Sequence, residues 1–374
     1  MSFLSANIDR RTLLKAGVAT WTGSWAARWA AAAPPAPCPA FNVLSAELAV
    51  PDVCAWPNLT LLPDGSIAAV IYNRPCHLTA EGEVDCWVSV DGGRRWAKRG
   101  SAAPHEPGTA RANVAAGLAH NGDLVVLVSG WGYAPKFRTR RLPPWVCRSS
   151  DLGRTWSVDK RASAVLMPPG ADYEDRGQRM IKPFGDVVAL PGRRLAASFY
   201  HDYGAVWVHF SDDDGRTWSQ AAVLSDDHRG ETAILRLRAD RWLAAARVER
   251  GPDQKTPPWG LGLFASADEG RTWSLQGNVT EPNQHPGHLL RLADGRVLLT
   301  FGMRDVGAIG FRTSDDEGRT WHATGILRTL GRGDLGYPAT VQTADGTLVT
   351  AYYYSQPAYH MGVVRWTLGA RPKA

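Results

Sequence analysis

Five copies of one eight-residue pattern constrain this chain more than anything else in it. SVDGGRRW (89–96), SSDLGRTW (149–156), SDDDGRTW (211–218), SADEGRTW (266–273) and SDDEGRTW (314–321) follow the form Ser-x-Asp-x-Gly-x-Thr-Trp, with Arg95 in the threonine position of the first. The third-position Asp is suited to accept hydrogen bonds from backbone N–H groups two or three residues on. The Gly supplies the positive φ that such a tight turn demands. The closing Trp, at the start of a strand, is suited to burial against a neighbouring sheet. Each copy therefore reads as a β-hairpin turn followed by an anchor.

A second series of turns interleaves with the first. It falls at Pro63-Asp64-Gly65, Asn121-Gly122, Pro191-Gly192, Ala239-Asp240, Ala293-Asp294-Gly295 and Ala344-Asp345-Gly346. Apolar, strand-type segments such as LVVLVSG, LAASFY and LLTFGM flank these turns, a combination that signals hairpins. The unit is thus strand, turn, strand, connection, strand, box, strand. Its recurrence predicts an all-β chain built as a six-bladed β-propeller with four-stranded antiparallel blades. The last unit lacks a box and has three strands, and residues 41–48 are expected to supply its fourth. One domain spanning residues 38–370 follows. No segment of useful length repeats apolar residues with a helical period.

The N-terminus reads as an address rather than as structure. Arg10-Arg11-Thr12-Leu13-Leu14-Lys15 is a twin-arginine pattern, with a weakly apolar run and small residues after it, so residues 1–33 are expected to be a twin-arginine signal peptide. Thr20, Thr22, Gly23, Ser24 and Arg28 interrupt the run, which argues against a membrane span. The expected location is periplasmic or secreted, with no stable membrane insertion after cleavage. Arg10, Arg11, Lys15 and Arg28 against Asp9 place +3 of the net charge of +6 in this leader. What remains is too mild for nucleic-acid binding, and no basic stripe stands out. Among the cysteines, Cys76 with Cys86 and Cys38 with Cys54 are candidate disulfides after export, which leaves Cys147 over. No metal-ligand spacing occurs, so no cofactor is expected.

Boxes of this form on repeated four-stranded units resemble the sialidase, or neuraminidase, superfamily, also called BNR or Asp-box proteins. The resemblance spans nearly the whole chain beyond the leader. It implies boxes at the outer rim and a site at the central mouth, formed by the innermost strands and the loops after them. It also implies a tyrosine nucleophile opening the last blade, where Tyr337 stands in Gly336-Tyr337-Pro338, and a glutamate opening the fourth, where Glu231 stands. A phenol of pKa near 10 needs such a carboxylate base at neutral pH. Arg247 and Arg304 match two arginines of the family and are expected to hold a carboxylate in bidentate fashion.

The resemblance then breaks. The family's first arginine falls on Ala55, in Ala55-Trp56-Pro57. Arg74 and Arg111 are the nearby candidates to substitute for it. Asp85 is the candidate acid, provided that burial near Trp87 raises its pKa. His77, His201, His285 and His288 lie on the predicted mouth side. Trp56, Trp131, Tyr133, Tyr200, Tyr203 and Tyr353 are candidates to stack on sugar faces. The implied function is an exported sialidase-like glycoside hydrolase that cleaves a terminal, acidic sugar from a glycan. The alternatives are a non-catalytic propeller binding glycan or protein, and a polysaccharide lyase acting on a uronate.

Overall fold

Strand β1 (Phe41–Val50) is the first strand among the described residues and is followed by a four-stranded antiparallel sheet of β2 (Ala55–Leu61), β3 (Ile67–Tyr72), β4 (Val84–Ser89) and β5 (Ala97–Ala103). In this computed structural model the described residues are 35–133, 140–161, 181–201, 204–218, 220–248 and 260–371. The leader and Tyr203 lie outside them. Residues from 35 onward belong to one compact unit.

Next come β6 (Thr109–Leu118), β7 (Leu124–Gly132), β8 (Arg140–Ser149) and β9 (Ser157–Asp159), then β10 (Lys182–Leu190), β11 (Arg194–Tyr200) and β12 (Gly204–Ser211). The long β13 (Gln220–Arg238) pairs through its first half with β12 and through its second half with β14 (Arg241–Val248), which leads to β15 (Leu261–Ser266) and β16 (Ser274–Asn278). A short parallel contact of β10 with β6 makes one eleven-stranded sheet of β6 to β16. The chain continues with a sheet of β17 (Gln284–Arg291), β18 (Val297–Met303), β19 (Ala308–Ser314) and β20 (Gly325–Thr329). It ends with β21 (Leu335–Gln342), β22 (Leu348–Tyr354) and β23 (His360–Leu368), and β1 pairs antiparallel with β23. The fold is all-β among the described residues, and none of them forms a helix long and apolar enough to cross a membrane.

Burial explains why the middle strands read as unbroken apolar runs. Every residue of β3, β15 and β18 is buried, because both faces of each are covered by neighbouring strand groups. Apolar clusters fill the space between one group and the next. Val70, Val84 and Cys86 meet Val126, Val128 and Cys147, for example. Ile67, Ala69 and Ile71 of the first sheet meet Val349, Ala351 and Met361 of the last. The strands β2, β6, β10, β13, β17 and β21 touch in that order, and β21 touches β2 again.

The boxes occupy the turns that join β4 to β5, β8 to β9, β12 to β13, β15 to β16 and β19 to β20. In the second, the Asp151 carboxylate accepts from the Arg154 and Thr155 N–H groups and from the Thr155 and Ser149 hydroxyls. The accepted amides thus lie three and four residues on, one further than the sequence pattern suggested. Two successive residues, Leu152 and Gly153, have positive φ, so the chain needs a longer reach to close. A Cβ on Gly153 would stand 2.7 Å from Cys86 Sγ as well, which doubly excludes any other residue. Trp218 is fully buried, the other four box tryptophans are half-buried, and each indole N–H donates to its own box glycine carbonyl.

These fasteners carry a pH signature. Hydrogen bonds from the Thr272 hydroxyl and N–H hold the pKa of Asp268 down at about 2. Its contribution is full above an unfolded carboxylate pKa of about 3.9 and is lost as the pH falls through about 2. Asp268→Asn is expected to melt a few degrees below wild type at pH 7, the gap closing in thermal melts as the pH approaches 2. An equal gap at both ends would mean that the charge is irrelevant. All five cysteines are free, so neither expected disulfide is made. Cys76 packs with Cys54 in one cluster, whereas Cys86 shares another with Cys147.

Candidate active site

Each strand of the inner series breaks its pairing near the start of its run beside the next strand of its group. The register shifts lie between Ala55 and Asn58, Ala112 and Val114, Phe184 and Val188, Arg229 and Thr232, Gln284 and Gly287, and Gly336 and Ala339. Bulges of this kind re-aim side chains. Here several of the displaced residues line one cavity of about 300 Å³, among them Trp56, Asn113, Gly185, Glu231 and Tyr337. The backbone is strained to do so. Trp56, Asn113 and Tyr337 have φ of 43°, 56° and 50°, a region that costs a non-glycine residue on the order of 1–2 kcal/mol.

Tyr337 and Glu231, separated by 106 positions in sequence, meet directly, with the phenol hydroxyl donating to Glu231 Oε1. Arg247 Nη1 lies 2.7 Å from Glu231 Oε2. Tyr200 donates to Oε1 at 3.4 Å. Burial opposes the charge on Glu231, but the Arg247 guanidinium and the Tyr337 hydrogen bond outweigh it and leave the carboxyl below its ordinary pKa. Burial and the Glu231 charge push Tyr337 well above the ordinary phenol value. At neutral pH the proton of the pair therefore rests on Tyr337, and Glu231 is the acceptor poised to take it.

Arg304 lies beside this pair, its guanidinium 5.8 Å from the Tyr337 ring. It donates to Asp334 Oδ1 at 3.2 Å, to the Tyr353 hydroxyl at 3.3 Å and to the His285 carbonyl at 3.3 Å. Asp334 also accepts from Tyr353 at 2.5 Å and Tyr359 at 2.9 Å, and it binds His77 Nδ1 at 2.7 Å. Burial penalises its charge, yet the His77 and Tyr353 hydrogen bonds and Arg304 hold its pKa below the usual carboxylate range.

The structure thus gathers Tyr337, Glu231, Arg247 and Arg304 at one cavity and leaves Asp85, Arg74 and Arg111 elsewhere. Asp85 is buried on β4, where Lys98 Nζ sits 2.9 Å away and Asn73 donates to it at 3.3 Å. Burial does raise its pKa against these partners, but it does not line the cavity. Arg74 is exposed and donates to the Glu81 carbonyl. Arg111 is buried with its guanidinium 3.3 Å above the Trp145 ring. Neither reaches the cavity, so neither stands in for the missing arginine. Ala55 is packed in the core, and Trp56 forms the wall there.

Of the four histidines, His77 and His288 line the cavity. His285 lies behind it, pushed down to about 2 by burial and by Arg247 and Arg304, hence neutral. His201 is buried off the cavity. Trp56, Trp131 and Tyr200 are in the wall, Tyr353 is behind it, and Tyr133 ties down the loop after β3 through the Leu78 and Ala80 carbonyls. Asn113, Lys182, Phe184 and Asp334 were missed. The signal for the first three was their place in the first strand of a unit, at the height of Trp56 and Tyr337. For Asp334 it was its position three residues before the tyrosine.

A family model described as a BNR repeat-like domain matches residues 77–350. Among curated proteins none matches the sequence. The fold is similar to that of a protein of unknown function from Dyadobacter fermentans, at a TM-score of 0.70 and 20% identity, covering 88% of this chain and 99% of that one. It is also similar to the Hadza microbial sialidase Hz136, with TM-score 0.60 and 18% identity over 83% of this chain, although only 65% of that sialidase is spanned. The intramolecular trans-sialidase from Ruminococcus gnavus, solved with oseltamivir carboxylate, matches at 0.65 and 11% identity over 88% and 99% of the two chains. Identities this low speak for the fold alone.

Proposed function

Because this chain belongs to the BNR repeat-like family of the sialidase superfamily, we propose that it is an exported glycoside hydrolase removing a terminal, acidic sugar from a glycan. The observation that carries the reading is the hydrogen-bonded Tyr337–Glu231 pair at the cavity wall. A phenol is a poor nucleophile until its proton leaves, and ionised Glu231 already accepts a hydrogen bond from the Tyr337 hydroxyl. In the proposed reaction the Tyr337 oxygen attacks the anomeric carbon while its proton passes to Glu231. The glycosidic C–O bond breaks, the aglycone, protonated on its oxygen, leaves as an alcohol, and water later displaces Tyr337 and releases the sugar. Arg247 and Arg304 bring two guanidinium groups to the same cavity, and Lys182 brings a third cation, which favours an anionic substrate.

The cyclic order of contacts among β2, β6, β10, β13, β17 and β21 supports a six-bladed propeller, with the inner strands around the site and the boxes outside. In this reading β13 serves as the outer strand of one blade and the inner strand of the next, and β1 completes the last. Residues 1–33 then act as a twin-arginine signal, and the domain works in the periplasm or beyond. With Ala55 at the position of a third arginine, carboxylate binding is weaker by about 1.5–3 kcal/mol, the worth of one charged hydrogen bond. Trp56 instead offers an aromatic face to the sugar ring.

Incubating the purified protein with sialosides and with uronate-containing oligosaccharides tests the reading. Release of free sugar without a new ultraviolet chromophore is the expected result. An unsaturated, absorbing product would mark a lyase. Saturable binding to the same glycans without any turnover would mark a binding propeller and overturn the enzymatic reading.

A further inference from the structure

The loop of residues 73–83 brings a histidine, not a carboxylate, to the cavity. Its conformation is fastened at several points. The Tyr72 hydroxyl donates to the Ala80 carbonyl at 2.6 Å, Tyr133 donates to the Leu78 and Ala80 carbonyls, and the Glu83 N–H donates to Asn73 Oδ1 at 3.1 Å. His77 is thereby held against Trp56, ring edge to face at 4.9 Å, and Trp56 lies 6.1 Å from the Tyr337 ring. His77, Trp56, Glu231 and Tyr337 all line the same cavity.

Asp334 fixes the orientation of the imidazole through Nδ1. The carboxylate is itself held by Arg304, Tyr353 and Tyr359, so it remains an acceptor, and Nδ1 carries a hydrogen. A carboxylate behind one ring nitrogen sets the tautomer, so that a proton exchanged by the ring passes through Nε2. Asp334 and, bound to it, Arg304, Tyr353 and Tyr359 are charged and titratable groups on the Nδ1 side of the ring. Asp85 is occupied with Lys98 on β4, away from the cavity.

We propose that His77, positioned by Asp334, is the general acid and base of the hydrolysis argued above, on which this assignment rests. In the first step the glycosidic C–O bond breaks as Nε2–H of the imidazolium protonates the departing oxygen, which leaves as an alcohol. The Tyr337 oxygen bonds to the anomeric carbon, and its proton moves to Glu231. In the second step neutral His77 takes a proton from water as the water oxygen bonds to that carbon. The Tyr337–carbon bond breaks, and the phenol recovers its proton from Glu231. The sum is one glycoside and one water giving two hydroxyl compounds.

The test compares leaving groups. Methyl and 4-nitrophenyl glycosides of sialic, glucuronic and galacturonic acid are offered to wild type, His77→Ala and His77→Gln. For the sugar that wild type hydrolyses, both variants are expected to lose at least about 100-fold on the methyl glycoside, which needs protonation to leave. On the 4-nitrophenyl glycoside, whose phenolate leaves unaided, formation of the sugar–enzyme intermediate is expected to slow by less than about tenfold. Azide, a nucleophile that needs no base, should then speed turnover of that substrate and yield a glycosyl azide. Equal losses on both substrates, no loss on the methyl glycoside, or no response to azide would overturn the assignment while leaving the Tyr337–Glu231 reading intact. Wild type that hydrolyses no glycoside would overturn both.

Discussion

Tyr337→Phe is expected to lower kcat by at least about 10³-fold, because it removes the nucleophile and not merely a contact. The change deletes one oxygen and keeps the ring. Its neighbours Trp56, Phe184 and Tyr353, with centroids 5.6–6.1 Å away, retain their packing. The left-handed backbone at residue 337 is no more strained for Phe than for Tyr. Glu231 keeps Arg247 at 2.7 Å and Tyr200 at 3.4 Å, so its charge stays compensated. The variant should therefore fold and bind glycan much as wild type does, and the loss should appear in kcat with little change in KM. A Tyr337→Phe protein that turned over at the wild-type rate would remove the nucleophile from the mechanism. A protein that also lost binding would point instead to a structural role for the hydroxyl.

How much of this arrangement was legible in the sequence depends on the range of the forces involved. The boxes and Asp-Gly turns are local: Asp151 binds groups within four residues of itself, and a pattern of eight residues contains the whole interaction. Strand identity followed from that pattern. So did the positions of Tyr337, Glu231, Arg247 and Arg304, by counting units and by likeness to a family. Side-chain direction in the connecting segments did not follow. Asp85 and Arg74 both flank the loop after β3, yet strand pairing aligns Asp85 with Ile71 and Ser101 and delivers it to Lys98. Arg111 had a closer attraction in the Trp145 face than in any open mouth. Asp334 was illegible for the opposite reason. Its partners His77, Arg304, Tyr353 and Tyr359 come from three separate stretches, and only the fold assembles them into a site.

Glu231→Gln separates the chemistry of the pair from its contribution to stability. The substituted amide can still touch Arg247 and Tyr337, but it cannot accept the phenol proton, so kcat is expected to fall by about 10²–10⁴-fold. In wild type the requirement for ionised Glu231 has a definite sign. Its pKa is held below the ordinary value, so the base remains competent into the acid range, and its share of the rate is lost only as the pH falls through that lowered pKa. The glutamine variant has no such limb. It also leaves the Arg247 guanidinium without its counter-charge. Breaking a fully buried pair from one side costs about 3–5 kcal/mol. Here the Arg247 side chain is 22% exposed and water recovers part of that, so a loss of about 1–3 kcal/mol is expected. Replacing the arginine as well, in Glu231→Gln with Arg247→Met, removes the stranded charge and should restore most of the melting temperature while restoring none of the turnover. Thermal melts and single-turnover rates on the three proteins make the comparison. If the double variant melts no higher than the single one, Glu231 and Arg247 are not a stabilising pair. If Glu231→Gln keeps wild-type turnover, the proton of Tyr337 goes elsewhere and Glu231 is not its base.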